Sequence, residues 1–126
     1  MAKPTVAIIG ASSTRSKFGN KSLRAHAAKG YEVFPVNPNE SVIEGLKAYP
    51  NITSIPVPID RVSMYVHPTV GLTLIDEIAK CQPGEIWLNP GAESHSLIQR
   101  CRELGLNLIV GCSIVQLGVS PGAFPD

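Results

Sequence analysis

A chain of 126 residues has room for one domain of ordinary size with a self-sufficient core. It is 44% hydrophobic and 17% charged, and eleven basic residues against ten acidic ones leave a net charge of +1. That balance excludes binding of nucleic acid or a membrane surface by bulk electrostatics, and no apolar run approaches the ~20 residues that span a bilayer. The opening residues, Met1-Ala2-Lys3-Pro4, lead straight into a strand-like segment. They lack the apolar stretch and small-residue cleavage site of a secretory leader. Cys81, Cys101 and Cys112 form no CxxC pair and no even framework, so free thiols in a reducing cytoplasm are expected.

In chain order, Thr5 to Ile9 is a short, continuous, β-branched run ending at Gly10, the pattern of a strand buried on both faces of a parallel sheet. A serine-rich loop from Ala11 to Ser16 follows. The spacing then predicts a helix from about Asn20 to Lys29, with Leu23, Ala27 and Ala28 inward and Gly30 as its stop. A second strand, Tyr31 to Val36, is broken by Asn37-Pro38-Asn39. From Glu40 to Pro58 the pattern weakens. Ser41 to Glu44 has the form of a capping box, but Gly45 and the prolines at 50, 56 and 58 allow at most one turn of helix. A short strand near Leu46 to Ala48 is expected there. Val62 to Val66 is the next strand, and Pro68 stands where a first-turn proline opens a helix carrying Val70, Leu74, Ile75, Ile78 and Ala79. Glu85 to Leu88 reads as a strand with Trp87 in the core, followed by an Asn89-Pro90-Gly91 loop. Ser94 or a neighbour caps a helix with Leu97, Ile98, Cys101 and Leu104 on its face. Gly105 stops it, and Leu106 to Val110 is the last strand.

Strand–helix alternation of this kind gives an α/β fold, a single doubly wound parallel sheet with helices on both faces, over residues 1–126. In such sheets the ligand crevice lies beyond the carboxyl ends of the strands, where strand order reverses. If the first strand is central, that crevice collects Gly10 to Gly19, Asn37 to Asn39 and His67 to Thr69. The first loop is the most informative: small residues leave amides free, the helix behind it favours an anion, and Ser12, Ser13, Thr14, Arg15 and Lys17 add donors. A phosphate or diphosphate is the expected guest. The G-x-G-x-x-G fingerprint is absent, and Asn37-Pro38 stands where a ribose-binding acid would close the second strand, which disfavours NAD. His26, His67 and His95 have no metal-ligand spacing, so no metal site is expected. Cys112 reads as a buried structural thiol, since no base travels with it, and Glu93 as charge at a helix N-terminus.

Val6 to Ser12, Gly30 to Pro38, Val62 to Pro68, Trp87-Leu88-Asn89-Pro90-Gly91 and Leu108 to Cys112 resemble, in order, the small single-domain CoA-binding proteins. These share a Rossmann-like fold with the N-terminal domain of the succinyl-CoA synthetase α subunit. The resemblance implies coenzyme A or an acyl-CoA in the crevice. Gly10, Ala11, Ser12, Ser13, Arg15 and Lys17 would lie at the phosphates, Val36, Asn37 and Pro38 at the adenosine, and Val66, His67 and Pro68 at the middle of the ligand. Family members often carry Asp-Arg before the last cysteine, whereas Val110-Gly111 stands here. The synthetase draws its phosphorylated histidine and acyl chemistry from a second domain, so the expectation is a non-catalytic CoA-binding carrier, sensor or partner subunit. Neither nucleic acid nor membrane is expected as a partner. The alternative is a small NAD(P)- or nucleotide-dependent Rossmann enzyme such as a reductase, with Arg15 near a 2′-phosphate.

Overall fold

The structure is a computed structural model that describes residues 3–126. Met1 and Ala2, which open the segment read above as lacking a leader, lie outside the described residues. The chain runs β1 (Thr5–Ile9), α1 (Phe18–Ala28), β2 (Glu32–Val36), a hairpin of β3 (Val42–Ile43) and β4 (Leu46–Lys47), and β5 (Arg61–Met64). It continues through α2 (Pro68–Lys80), β6 (Glu85–Leu88), α3 (His95–Glu103), β7 (Leu108–Val110) and a short α4 (Ser113–Gln116). Single 3-10 turns occupy Ile52–Ser54 and Pro121–Ala123. Among the described residues no helix is long and apolar enough to cross a membrane.

Five strands form one parallel sheet in the order β2-β1-β5-β6-β7. β1 is flanked on both sides, and all five of its residues are buried. Its side chains alternate between two cores. Val6 and Ile8 pack with Leu23, Val33 and Ile43 under α1, while Ala7 and Ile9 join Val62, Met64, Ile75, Ile78, Leu88 and Leu97 under α2 and α3. Two opposed faces explain why the β1 sequence is continuously apolar. The chain leaves β1 for β2 on one side and crosses to β5 on the other, and crossovers of one hand then place their helices on opposite faces.

The strands fall where the sequence places them, to within a residue or two. The largest departure is residues 40–58. The Ser41–Glu44 box opens no helix, because Glu44 and Gly45 both take positive φ (50° and 77°) and close a two-residue hairpin between Ile43 and Leu46. Tyr49 then bridges to Val36, continuing β2's outer edge for one residue pair. α1 starts at Phe18 rather than Asn20, and the tail beyond β7 holds α4, which the sequence reading left unassigned. Cys112 is half-buried at the start of α4, a correction to the fully buried thiol, because the chain turns there from the sheet edge. Trp87 is in the core as expected.

At the amino end of the sheet, opposite the crevice, Arg61 is buried between the rings of Tyr31 and Trp87, at 5.3 and 5.1 Å. Its Nε donates to Glu85 at 2.6 Å, and its Nη1 lies 3.4 Å from Nε2 of fully buried His26. His26 donates from Nδ1 to the Ser22 carbonyl at 2.8 Å, which leaves Nε2 as the acceptor facing Arg61. Burial pulls the His26 pKa from 6.5 down to about 4, opposed by the Ser22 carbonyl and aided by the Arg61 charge. The unfolded chain therefore holds more protons than the folded one between these values. Stability is full above pH 6.5 and falls as the pH drops toward 4, by about 2–3 kcal/mol for this group. Urea melts between pH 7 and pH 5.5, above most carboxylate titration, will show the start of that fall, about 1 kcal/mol; a flat profile would contradict it.

Candidate functional site

The strand order reverses between β1 and β5, and the loops leaving their carboxyl ends separate there to open a crevice. Gly10 sits at its base with φ 88°. Its amide donates to Val36 O at 3.2 Å, while Tyr65 N donates to Ile9 O at 2.8 Å. A Cβ on Gly10 would lie 2.9 Å from the Tyr65 carbonyl oxygen, so only glycine lets the two strand ends meet. A Cβ on Gly19 would collide with the Gly10 carbonyl oxygen, so the first turn of α1 also rests directly on the strand end.

The loop between them is tied internally. Ser12 Oγ accepts from Thr14 N at 3.0 Å, and the Ser12 carbonyl accepts from Nδ2 of buried Asn20 at 2.8 Å. Asn37 Nδ2 donates to the Ala11 carbonyl at 2.9 Å, linking the end of β2 to the loop. Lys17 is the N-cap of α1 and supplies no side-chain hydrogen bond to it, and the first turn carries no acidic residue. The positive end of that helix is thus uncompensated from within. Two carboxylates reach the loop from the hairpin side. Glu40 Oε2 accepts from Ser13 N at 3.1 Å, and Glu44 lies 3.4 Å from Arg15 Nε and 3.2 Å from Asn20 Nδ2. Ser13 holds the Glu40 carboxyl below its ordinary pKa, with Lys17 contributing through its charge. Arg24 fastens the loop from behind, donating to the Arg15 carbonyl at 3.0 Å and to those of Phe124 and Pro125 at 3.1 and 2.8 Å.

Two cavities meet over Gly10 and Val66. One, about 540 Å³, is lined by Gly10, Ala11, Ser12, Lys17, Phe18, Gly19, Asn37, Tyr65, Val66, His67 and Pro90 to Ala92. The other, about 180 Å³, is an apolar slot between the end of β2, Pro50 to Ile52 and α2; Val36, Pro38, Val70, Leu74 and Ile78 form its walls and Glu77 its one charged margin. His67 caps α2, its Nδ1 accepting from Thr69 N at 3.2 Å. The proton of the neutral ring then sits at Nε2, where it can donate to a ligand.

The floor beneath the larger cavity is a closed hydrogen-bond network. Buried Asn89 donates from Nδ2 to Ser63 Oγ and to Met64 O, both at 2.9 Å, and its Oδ1 accepts from Ser113 N and Ser113 Oγ, also at 2.9 Å. Ser63 and Tyr65 hydroxyls complete it at 2.8 and 3.0 Å from Ser113 Oγ. Burial raises the Tyr65 pKa and its hydroxyl partners oppose the rise, so the phenol stays protonated as a donor.

Of the residues the sequence singled out, Gly10, Ala11, Ser12, Lys17, Asn37, Val66 and His67 line the larger cavity, and Val36 and Pro38 line the slot with Gly10 and Val66. Ser13, Arg15 and Pro68 line neither: the Ser13 amide is engaged by Glu40, Arg15 by Glu44, and Pro68 opens α2. Phe18 and Gly19 line the larger cavity within the Gly10 to Gly19 loop expected at the crevice, Pro90 to Ala92 come from the loop after β6, and the sequence reading missed Tyr65 and the whole far wall of the slot. Pro50-Asn51-Ile52 carried a turn signal only. Val70, Leu74 and Ile78 were legible as an apolar face, although nothing local marks which part of it stays uncovered.

A doubly wound sheet with a glycine-based, donor-lined crevice at its switch point is the architecture shared by nucleotide-binding folds. Residues 4–118 match the CoA binding domain family, and the chain belongs to that family. It is 25% identical over 109 residues, 86% of this chain and 81% of the relative, to the uncharacterized protein YneT of Bacillus subtilis. A conserved hypothetical protein from Pyrococcus furiosus is 32% identical with a TM-score of 0.81, covering 91% of this chain and 99% of that one. Acetyl-coenzyme A synthetase 1 of Ca. Korarchaeum cryptofilum, solved with phosphate and ADP, is 27% identical with a TM-score of 0.73. The match covers 83% of this chain and 25% of the synthetase.

Two substitutions test the construction of the site. Gly10→Ala forces a strained φ against a backbone carbonyl and will destabilise by about 2–4 kcal/mol in urea melts. Asn89→Ala leaves the Ser113 amide and two hydroxyls short of partners and will cost a similar amount, about 2–4 kcal/mol. If either variant melts like the native protein, that contact is not holding the crevice.

Proposed function

We propose that this protein binds coenzyme A or an acyl-CoA and performs no chemistry of its own, serving as a carrier, a sensor or the CoA-binding partner of another subunit. The observation that carries the reading is the junction of an apolar slot with a donor-lined cavity at Gly10 and Val66. A flat purine suits the slot between Val36, Pro38 and α2. The diphosphate then crosses the Gly10 to Ser12 backbone toward Lys17 and the N-terminus of α1, where an anion is favoured. The pantetheine arm follows Val66 and His67. Ser13 and Arg15 join the phosphates where the ligand displaces Glu40 and Glu44 from them, and Pro68 holds the helix turn beneath the arm.

The absence of catalysis in this reading rests on the side chains available. Lys17, Tyr65, His67 and Glu77 are the titratable groups lining the two cavities, and no two of them hydrogen-bond to one another. A nucleophile with an attached base, the minimum for acyl transfer, is not assembled from them. A cytoplasmic setting belongs to the same reading and rests on the free cysteines. A second reading, a nicotinamide-dinucleotide enzyme, draws on Glu40, a carboxylate beyond the end of β2 of the kind that meets a ribose hydroxyl in such enzymes.

Calorimetry and thermal shift with CoA, dephospho-CoA, NAD, NADP and ATP separate the two. At 100 times its dissociation constant CoA will stabilise the fold by about 2.7 kcal/mol, with dephospho-CoA weaker. Lys17→Ala will weaken CoA roughly 10- to 100-fold, the loss of one charged hydrogen bond. Response to NAD or NADP without response to CoA overturns the proposal in favour of the second reading.

A further inference from the structure

Of the residues lining the apolar slot, only Asn51 and Glu77 carry polar side chains, and both are half-buried. Asn51 opens the 3-10 turn at Ile52–Ser54. Its Oδ1 accepts from Ser54 N at 3.0 Å and from the Ser54 and Thr53 hydroxyls, each at 2.7 Å. A backbone amide can only donate, so these contacts fix which end of the carboxamide is the oxygen and leave Nδ2 turned away from the turn. Among the described residues nothing accepts from Nδ2, and no buried side-chain nitrogen lacks a partner, so this donor is open to solvent. Thr53 Oγ1 also lies 3.3 Å from Glu77 Oε1. The hydroxyl has one proton for both oxygens and the shorter contact is to Asn51, so the Glu77 carboxylate keeps most of its accepting capacity. Thr53 thus holds a donor-bearing residue and an acceptor-bearing one side by side on the margin of one apolar cleft.

We infer that Asn51 and Glu77 read the edge of the base that enters the slot: Glu77 accepts from the 6-amino group of adenine, and Asn51 Nδ2 donates to the adjacent ring nitrogen N1. This rests on the CoA reading and makes the pair specificity-determining residues of that site. The apolar walls offer contact to the faces of any purine, so choice among bases falls to the few polar groups at the margin. Adenine presents a donor beside an acceptor there. Hypoxanthine presents the reverse, an oxo group beside an N1–H, which sets acceptor against acceptor at Glu77 and donor against donor at Asn51. A carboxylate has no proton to offer the oxo group, and the Asn51 amide cannot flip without abandoning Ser54 N.

The probes are CoA and its hypoxanthine analogue, in which an oxo group replaces the 6-amino group and every phosphate is kept. Their dissociation constants are measured by calorimetry at one ionic strength on the wild-type protein, on Glu77→Gln and on Asn51→Asp. The wild-type protein will bind CoA about tenfold more tightly than the analogue, a difference of about 1.4 kcal/mol. Glu77→Gln can turn either an oxygen or an amide to the base, and it will bring the two ligands to within about threefold, chiefly by gaining the analogue. Asn51→Asp keeps an oxygen to cap the turn and puts a second acceptor where Nδ2 stood. It will cut the preference about threefold or more, chiefly by losing CoA. Equal binding of the two ligands by the wild-type protein overturns the inference and needs no variant. So does a ratio unchanged in both variants, whatever their stability: Asn51, Thr53 and Glu77 then only tie the turn to α2. Tight CoA binding without discrimination sinks this inference alone, whereas no binding of either ligand sinks the CoA reading with it.

Discussion

The structure depends on three backbone segments coming within van der Waals contact at one point. Gly10 closes on the Tyr65 carbonyl, and Gly19 closes on the Gly10 carbonyl. No side chain can stand between the end of β1, the end of β5 and the first turn of α1. This contact brings helix amides and loop amides to the same small region, next to the gap where the sheet reverses. The apolar strand beneath it supplies stability, and the two missing Cβ atoms supply proximity. Proximity is what a ligand with phosphate oxygens requires, because backbone donors act only at hydrogen-bond range.

A second constraint works from below. Asn89 is nearly inaccessible to solvent, and its carboxamide joins β5, β6 and the start of α4 through four hydrogen bonds. Every polar atom of this network has a complementary partner, and among the described residues no buried side-chain nitrogen or oxygen is left without one. A satisfied polar network has a preferred geometry, unlike an apolar contact that tolerates sliding. The crevice floor is thus held in register across three elements that are distant in sequence. The Asn89-Pro90 step reads in sequence as a turn, and its role as the hub of the floor comes only from the packing.

How far the sequence carried the reading follows from which interactions are local. β1 was legible because a strand buried on both faces is written as a continuous apolar run, and β5 and β6 as short β-rich runs bounded by turn residues, although β5 carries Arg61 and Ser63. The Gly10 to Gly19 loop was legible because glycine and small hydroxyl residues mark it over ten consecutive positions. Residues 40–58 were not: Glu44 takes a left-handed conformation usual for asparagine or glycine, so the hairpin lacks its customary sequence mark. The far wall of the slot joins Pro50 to Ile52 with α2, a tertiary meeting that no local pattern encodes. Electrostatics was the other blind spot. Composition reported a near-neutral chain, whereas the fold sets Glu40 and Glu44 against the very donors that Ser13 and Arg15 offer.

Arg24 carries a consequence for how the molecule behaves as a mechanical object. A single guanidinium grips the Arg15 carbonyl on one side and the Phe124 and Pro125 carbonyls on the other, while its Nε holds Asn20 at 2.7 Å. The last residues of the chain and the Gly10 to Gly19 loop are therefore two ends of one strut, although about a hundred positions separate them. Pulling on the tail, whether by a fused tag or by a protein docked on the 3-10 turn at Pro121–Ala123, loads the loop directly.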